Sequence, residues 1–251
     1  MSEAARVGAA QIGLLAGVLL IWELGVLADG IDSARFGAPS AIAGYLFEGL
    51  TSGELARHGL VTVYEQFWGF VIGVGGGTVA GLGLWWSPRL AAALEPVVAV
   101  FNSIPKIALA PPMIVWFGIF EASKIALAAS ICVVIAWMAA AEGVRRVDRD
   151  QLDMVRAMGG SRRHAFWSVV VPSAMPWIVA SLKINIGFAL VGVVVGEFVA
   201  SNHGLGYLAV QASMFFLISK LWMIVLVISA IAAVQYWLIL KLEQRLLHWA
   251  R

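Results

Sequence analysis

Long apolar stretches alternate with short polar ones along most of this chain. A helix that crosses a bilayer takes roughly 20 apolar residues, and six stretches could serve: residues 7–28, 61–86, 94–118, 125–141, 174–200 and 221–242. A cleaved signal peptide is the alternative interpretation of the first stretch, but five further stretches follow it and we expect it to be retained. The pattern therefore predicts an all-α integral membrane protein with about six transmembrane helices.

Two parts of the pattern differ from plain spans and short loops. After the fifth stretch, Gly204-Leu205-Gly206 begins a shorter apolar run that ends near Ile218 and has the length of a re-entrant or interfacial helix. Residues 142–171 form a polar segment between the fourth and fifth stretches. No repeat, low-complexity segment or flexible linker divides the chain, so residues 1–251 are expected to form one domain.

The composition supports lipid as the main solvent. Hydrophobic residues make up 61% of the 251 residues and charged residues 13%, against roughly 45–50% and 25% in ordinary soluble domains. A formal net charge of +2 gives no reason to expect a nucleic-acid partner. Because Cys132 is the only cysteine, an intramolecular disulfide and a cysteine-based metal site are excluded.

Positive charges are unevenly distributed over the two sides that six spans would define. If the amino terminus lies inside, four of the 17 Lys and Arg residues fall in outer loops, two within spans and eleven on the inner side, where Lys241 at the inner end of the sixth stretch is included. The outer four are Arg35, Arg57, Lys124 and Lys220, and the two within spans are Lys106 and Lys183. Since cytoplasmic loops retain Lys and Arg, we expect both termini in the cytoplasm.

The second apolar stretch carries glycines at every fourth position. They are Gly69, Gly73, Gly77 and Gly81. This spacing places them on one face of a helix, where small residues let another helix approach closely in lipid. We expect this face to pack against a helix of the same subunit or of a second one.

Among the ionisable residues within the predicted spans, four are candidates for a functional role: Glu65, Lys106, Lys183 and Glu197. Such residues are costly in a bilayer and are functional hypotheses by default. Glu65 and Lys183 lie near predicted span ends, where their side chains could instead reach the membrane surface. Lys106 lies between Pro105 and the Pro111-Pro112 pair, and a backbone interrupted in this way is tolerated at membrane depth only against protein or a polar cavity. We therefore expect Lys106 on a solute path.

The polar segment predicts two short helices joined by a glycine turn. Asp148 or Asp150 can cap a first helix, Gly159-Gly160 can end it, and Ser161 can begin a second. The side chains expected to share a face of the first helix are Leu152, Val155 and Met158. A DNA-reading helix-turn-helix has the same outline, but a position between two membrane spans favours a docking surface for a cytoplasmic partner.

Signatures of enzymes and nucleotide-binding proteins are missing from the sequence. The histidines are isolated, and neither a His-Glu-x-x-His zinc helix nor a Gly-x-Ser-x-Gly nucleophile elbow occurs. The run Gly75-Gly76-Gly77-Thr78 lacks the Gly-Lys-Ser/Thr ending of a phosphate loop. We therefore expect neither catalysis nor ATP binding by this chain, and no metal site.

At the polar segment the chain resembles the permease subunits of binding-protein-dependent ABC importers. Their signature reads Glu-Ala-Ala, three residues, Gly, nine residues, Ile, one residue, Leu-Pro, and the spacing here matches it. The matching positions are Asp153-Met154-Val155, Gly159, Val169 and Val171-Pro172. The glycine and the proline are retained, whereas the acid is shortened and both alanines are replaced.

Two further stretches are similar to the nitrate, sulfonate and taurine branch of that family. They are Pro105-Lys106-Ile107-Ala108-Leu109-Ala110-Pro111 leading to Trp116-Phe117-Gly118, and Gly196-Glu197-Phe198-Val199-Ala200 leading to Gly204-Leu205-Gly206-Tyr207. The resemblance covers roughly residues 101–208. It implies a type I ABC importer permease fold in a bacterial inner membrane, with a cytoplasmic helix-turn-helix coupling loop.

The resemblance also implies an assembly. This comprises a second permease subunit, two cytoplasmic ATPase subunits that bind ATP and Mg²⁺, and an extracytoplasmic substrate-binding protein, while this chain itself carries no cofactor. The coupling loop, about residues 142–172, is expected to engage the ATPases through Asp153, Arg156, Ala157, Gly159, Gly160, Arg162, Arg163 and Pro172. Candidates for the translocation path or its gate are Asn102, Pro105, Lys106, Pro111 and Glu197.

The expected function is import of a small solute. The branch suggests an organic or inorganic anion, such as a sulfonate, taurine or nitrate, or a small aromatic or pyrimidine compound. The alternative is an ion-coupled secondary transporter that uses Glu65, Lys106, Lys183 and Glu197 as a relay, although no inverted repeat is visible. An intramembrane hydrolase is a third class, and the sequence holds no motif for it.

Overall fold

The computed structural model describes residues 3–246, and every regular element among them is helical. The helices are α1 Glu3–Leu27, α2 Ser33–Phe36, α3 Pro39–Thr51, α4 Glu54–Gly83, α5 Pro88–Ser103, α6 Ala110–Phe117, α7 Glu121–Arg145, α8 Arg149–Ala157, α9 Arg162–Ala165, α10 Val171–Val199, α11 Leu205–Met214 and α12 Ile218–Leu246. Short 3₁₀ turns occupy Leu84–Trp86 and Lys106–Leu109, and a π-helical turn occupies Phe166–Val170. His248 and Arg251 lie outside the described residues.

Four helical segments are long and apolar enough to cross a membrane. They are Glu54–Trp86, Glu121–Arg145, Arg162–Val199 and Ile218–Leu246. The third predicted span is a pair of helices, Pro88–Ser103 and Lys106–Phe117, that meet at an angle of 86°. The described apolar part of α1 is the shorter helix Gly13–Leu27. By length and composition, residues 3–246 therefore hold four or five candidate spans, whereas the sequence pattern predicted about six.

The break in the third span lies at Pro105. Ile104 has extended backbone angles (φ −68°, ψ 128°), as expected for a residue that precedes a proline. A short 3₁₀ turn follows, and α6 then begins with Pro111 and Pro112 in its first turn, where a missing N–H leaves no helical hydrogen bond unmade.

The bundle is centred on α4, α7 and α10. Gly69 of α4 faces Ala128 of α7 and Gly81 faces Ala140, so the residue numbers rise together and these two helices run parallel. Helices α7 and α10 run antiparallel. Gly143 near the end of α7 faces Ala174 near the start of α10, whereas Gly196 near the end of α10 faces Lys124 near the start of α7. Because α4 and α7 are parallel neighbours, the chain between them must return from one end of the bundle to the other, and the bent pair makes that crossing.

The glycine face of α4 is in direct contact with α7 of the same subunit. A Cβ atom at Gly73 would lie 2.7 Å from the Ala129 carbonyl oxygen, and one at Gly81 would lie 2.6 Å from the Trp137 carbonyl oxygen. Gly69 and Gly77 are equally close to α7. Glycine at these four positions brings the two backbones together, as small residues do between helices in lipid.

The two ends of the bundle differ. One end, here called the coupling face, carries the coupling loop of residues 142–172 with α8 and α9. The opposite face carries α3 and α11, which share an apolar core with α12. Helix α11 occupies most of the predicted short apolar run, and its side chains Leu205 and Leu208 are almost completely buried.

Candidate functional site

Both helices of the coupling loop begin at a capping side chain. The Asp148 carboxylate accepts a hydrogen bond from the Asp150 N–H at 2.9 Å, so Asp148 is the cap of α8. The Ser161 hydroxyl oxygen accepts one from the His164 N–H at 3.1 Å and caps α9. These bonds satisfy N–H groups that have no partner inside the helix, so each helix has a defined starting point.

The turn between the two helices is built on Gly159. Its φ is +79°, a conformation that residues with a Cβ adopt only at a cost. The Gly159 N–H donates to the Arg156 carbonyl at 2.9 Å and the Gly160 N–H donates to the Val155 carbonyl at 2.8 Å, which is a Schellman motif. A Cβ at Gly160 would also lie 2.5 Å from the Val155 Cγ1 atom. The turn therefore requires glycine at 159 for its backbone angle and at 160 for close approach.

Helix α8 packs on the start of the next long helix through one apolar edge. Leu152 and Val155 are buried in a cluster with Phe166 and Val169. Met158 was predicted to share this edge, which is wrong, because its side chain is 70% exposed. It is the C-cap of α8, and the chain leaves the helical path at that residue.

The outward side of the coupling loop mixes charged and apolar side chains. Asp153 and Arg156 form an exposed ion pair at 2.8 Å, and Ala157 is exposed beside them. Met154 and Met158 are exposed as well. The loop therefore presents a surface on which a partner could bury apolar area and pair with charges.

Arg162 and Arg163 have different surroundings. The Arg162 guanidinium donates a hydrogen bond to the Trp85 carbonyl at 2.6 Å and lies near the Trp85 and Trp86 rings. It thus ties α9 to the 3₁₀ turn that follows α4. Arg163 is exposed, and its side chain makes no hydrogen bond or ion pair with the described part of the chain.

Pro172 lies in the first turn of α10, directly after the π-helical turn. In that turn the Val171 N–H bonds to the Phe166 carbonyl. A proline ring clashes with the carbonyl four residues before it, and the wider turn gives the ring room. The coupling loop therefore joins α10 without a break in direction.

The bend between α5 and α6 holds four of the predicted path residues. The Lys106 ammonium donates to the Asn102 carbonyl at 3.0 Å and to the Asn102 side-chain oxygen at 3.4 Å. Lys106 is half-buried, while Asn102, Pro105 and Pro111 are exposed. Within residues 3–246, the Lys106 ammonium therefore has two neutral acceptors, both from Asn102 of α5, and no carboxylate partner.

Glu197 lies elsewhere, in a buried polar cluster at the opposite face. Its side chain is about 1% exposed and accepts hydrogen bonds from the Thr62 hydroxyl at 2.7 Å and from the Gly206 N–H at 2.6 Å. The Thr62 oxygen accepts from the Leu205 N–H at 2.9 Å, and the His58 Nδ1 atom faces the Gly204 N–H at 3.0 Å. Three side chains from α4 and α10 therefore serve the first N–H groups of α11.

Two of the other intramembrane charges form ion pairs inside the bundle. Glu65, about 1% exposed, lies 3.9 Å from the Lys124 ammonium. Lys124 was assigned to an outer loop, which is wrong, because it lies in α7 and is 3% exposed. Lys183 contacts Glu243 of α12 at 2.9 Å. Glu65 and Lys183 therefore each have a charged partner on a neighbouring helix.

The sequence comparisons decide the family. Residues 73–248 match the family described as binding-protein-dependent transport system inner membrane component. The chain belongs to this family. It is therefore the non-catalytic permease of an ABC importer, a multi-pass inner membrane protein, and its family implies ATPase and binding-protein partners.

Relatives of the permease differ in the solute for which they are named. The riboflavin transport system permease protein RibX of Chloroflexus aurantiacus is 30% identical over 92% of this chain and 87% of its own. The taurine transport system permease protein TauC of Escherichia coli is 27% identical over 95% and 89%. A structure of the MetNI methionine ABC transporter in an inward-facing conformation aligns with a TM-score of 0.59 at 19% identity, over 78% of this chain and 94% of that one. The last likeness confirms the importer fold.

One polar network of the permease was missed by the sequence analysis. The Arg145 guanidinium donates to the Glu95 carboxylate of α5 at 2.7 Å and to the Glu142 carboxylate at 2.8 Å. Arg146 also donates to Glu142, at 2.6 Å. The spacing of Glu142 three and four residues before the arginines favours these contacts on a helix, whereas nothing in the sequence pattern indicates the contact with Glu95.

A cavity of about 910 Å³ opens beside this network on the coupling face. Its walls come from α5, α7, the 3₁₀ turn after α4 and the two short helices of the coupling loop. Arg156 and Arg162 contribute to it from the loop side. Among residues 3–246, no group of three or more His, Cys, Asp or Glu is arranged to hold a metal ion.

Proposed function

We propose that this permease imports a small solute as one half of a homodimer driven by two ATPase subunits. The solute is an anion such as a sulfonate, taurine or nitrate, or a small aromatic or pyrimidine compound, and a binding protein delivers it. ATP and Mg²⁺ are held by the ATPases. The coupling face and both chain termini lie in the cytoplasm, as the distribution of Lys and Arg indicates.

The coupling loop is the observation that carries this proposal. Its backbone is fixed by two caps and by the Gly159 turn, and its exposed side holds Asp153, Arg156 and Met158. A rigid element with an apolar centre and charged neighbours is suited to transmit the movement of a partner. The surface that binds the ATPase, here called the ATPase dock, is therefore formed by Asp153, Arg156, Ala157 and Gly159–Gly160. Arg162 and Pro172 fix the orientation of this surface relative to the long helices. The exposed Arg163 side chain is available to contact the ATPase.

The solute path passes the bend between α5 and α6. This break in the third predicted span holds Asn102, Pro105, Lys106 and Pro111. An irregular backbone with an ammonium group is tolerated at membrane depth only where it meets protein or a water-filled cavity. Glu197 contributes to the outer gate by holding α11, since its carboxylate is already occupied by donors from that helix and from α4.

The exposed apolar side chains beside the bend support a second copy of the chain as neighbour. Four apolar side chains next to the polar groups of the bend are each more than half exposed: Val100, Phe101, Ile107 and Trp116. Lipid would cover the apolar side chains but would leave the Lys106 ammonium without water. A twofold contact between two bends covers both kinds of group and places the path between the subunits.

A cross-linking experiment tests the orientation of the dock. Cys132 is completely buried, so Met158→Cys in a Cys132→Ala background provides one reactive thiol at the coupling face. We expect a thiol-directed cross-linker to join position 158 to the ATPase subunit. The matched control is Met214→Cys, an equally exposed methionine on the opposite face, which should not react with the ATPase. Cross-linking from position 214 and none from 158 would contradict the proposal.

The solute itself is best identified through the partner. We expect the binding protein that stimulates this permease to retain its ligand during purification, and mass spectrometry of the denatured protein identifies that ligand. Addition of the same compound should raise the melting temperature of the emptied binding protein. A ligand that belongs to neither chemical class named above would contradict the proposed substrate while leaving the transport function in place.

A further inference from the structure

A chain of charges links the bent pair to the coupling loop. Glu95 lies on α5 and accepts a hydrogen bond from Arg145, the last residue of α7, at 2.7 Å. Arg145 also binds Glu142, Glu142 binds Arg146, and the Arg146 guanidinium lies 4.6 Å from the centre of the Trp177 ring on α10. One connected network therefore touches α5, α7 and α10 at the coupling face.

Few polar contacts hold helix α5 to the other long helices. Within residues 3–246, the contact between Glu95 and Arg145 is the only hydrogen bond or ion pair that joins α5 to another membrane-spanning helix. Beside it lies the cavity of about 910 Å³, which is lined by both α5 and α7, so part of the space between these two helices is unfilled. Ala91, Ala92 and Ala99 line the α5 wall of that space.

The network is also close to the element that the ATPase would move. Arg145 precedes the Asp148 cap of α8 by three residues, and Arg156 and Arg162 of the coupling loop line the same cavity. A displacement of α8 therefore acts directly on the end of α7 that carries Arg145. The ion pair is exposed, with Glu95 66% and Arg145 61% accessible, and exposed pairs are weak enough to open and close easily.

We propose that Glu95 and Arg145 form a latch that holds the bent pair against α7 until the ATPases move the coupling loop. The inference rests on the proposed function. When the loop moves, Arg145 is drawn from Glu95, α5 swings about the break at Pro105, and the path changes its access. Glu142 keeps Arg145 paired while the latch is open, so the arginine is not left without a counter-charge.

Removal of the latch should let the complex cycle without a delivered solute. In the purified complex, Glu95→Gln and Arg145→Gln should each raise the ATPase rate measured without loaded binding protein by about two- to fivefold, the population change that an exposed ion pair controls. The controls are Glu48→Gln and Arg35→Gln, which neutralise exposed residues of the opposite face. These controls should behave as the parent complex does.

A reversed pair separates a latch from a general effect of charge. Glu95→Arg places two arginines together and should raise the basal ATPase rate, whereas Glu95→Arg combined with Arg145→Glu should lower it again toward the parent value. If the reversed pair stays as active as the single variant, a direct contact between positions 95 and 145 does not control the cycle and the latch is rejected.

Covalent closure provides the decisive test. In the Cys132→Ala background, Glu95→Cys and Arg145→Cys are joined by a short, reducible thiol cross-linker, and solute uptake and ATPase activity are measured before and after reduction. We expect the joined complex to lose uptake and to recover it on reduction. Full uptake by the joined complex, or failure of the two positions to be joined, would overturn the latch. Failure of the unmodified parent complex to couple ATP to uptake would instead count against the proposed function.

Discussion

The contact between α4 and α7 can be tested by adding a single methyl group. A Cβ at Gly77 would overlap the Val133 carbonyl oxygen and would lie 2.9 Å from both the Ala136 Cβ and the Trp137 nitrogen. Gly76, the preceding residue on the same helix, is exposed, and a Cβ there would meet nothing within 4 Å. Gly77→Ala and Gly76→Ala therefore differ in packing but share the same change in helix propensity.

The size of the effect follows from these distances. Carbon atoms pack at about 3.5–4.0 Å, so a methyl group at position 77 forces the helices apart by roughly 1 Å or displaces the α7 backbone. Overpacking of this kind costs about 1–3 kcal/mol. The advantage of Ala over Gly in a helix, about 1 kcal/mol, applies to both variants and cancels when they are compared. The free energy of unfolding should therefore be about 1–3 kcal/mol lower for Gly77→Ala than for Gly76→Ala.

Thermal unfolding of the two purified variants in the same mild detergent measures this difference. For a chain of this size, 1–3 kcal/mol corresponds to a melting temperature about 2–12 °C lower for Gly77→Ala. We also expect a lower yield of intact complex for this variant. Equal melting temperatures for the two variants would show that α4 and α7 are not packed as closely as described, and the reasoning would fail.

Three further substitutions test other parts of the molecule. Gly159→Val should abolish ATP-coupled uptake while membrane insertion persists, because the φ of +79° at this position is strained for valine. Normal uptake by this variant would show that coupling does not depend on the backbone conformation of the Gly159 turn. Lys106→Met should impair uptake but leave assembly of the complex intact, whereas Lys241→Met, which alters an exposed lysine on α12, should leave both unchanged. Equal uptake by the two variants would show that Lys106 does not lie on the solute path. Thr62→Val should lower the free energy of unfolding by about 1–3 kcal/mol, because the Leu205 N–H and the Glu197 carboxylate lose their hydrogen-bond partner. The control is Thr51→Val at an exposed site, and equal free energies of unfolding for the two variants would contradict the anchoring of α11.

The sequence predicts those features that depend on neighbouring residues. Hydropathy locates the long helices, and capping residues with paired glycines predict the two short helices of the coupling loop and the turn at Gly159. The prolines around Lys106 predict an interruption. In each case the physical cause is local, since a cap, a positive φ or a missing N–H acts within a few residues.

Features that depend on tertiary contacts were not predictable in this way. Lys124 follows a polar turn and has the sequence context of a loop residue, yet α7 carries it into contact with Glu65. The pair of Glu95 and Arg145 joins residues 50 positions apart. Met158 fits the apolar spacing of α8 but lies beyond its end, because the turn at Gly159 redirects the chain. Hydropathy records the polarity of each residue and contains no information on its partner.

The central claim is that this chain is the permease through which ATP hydrolysis drives solute import. The direct measurement is uptake into proteoliposomes that contain the permease and its ATPase, with the solute that the binding protein retains. We predict that uptake requires ATP on the side of the membrane that carries the ATPase and loaded binding protein on the opposite side. An imposed ion gradient should not change the rate of uptake. Uptake driven by an ion gradient in the absence of ATP and of the ATPase would contradict the account.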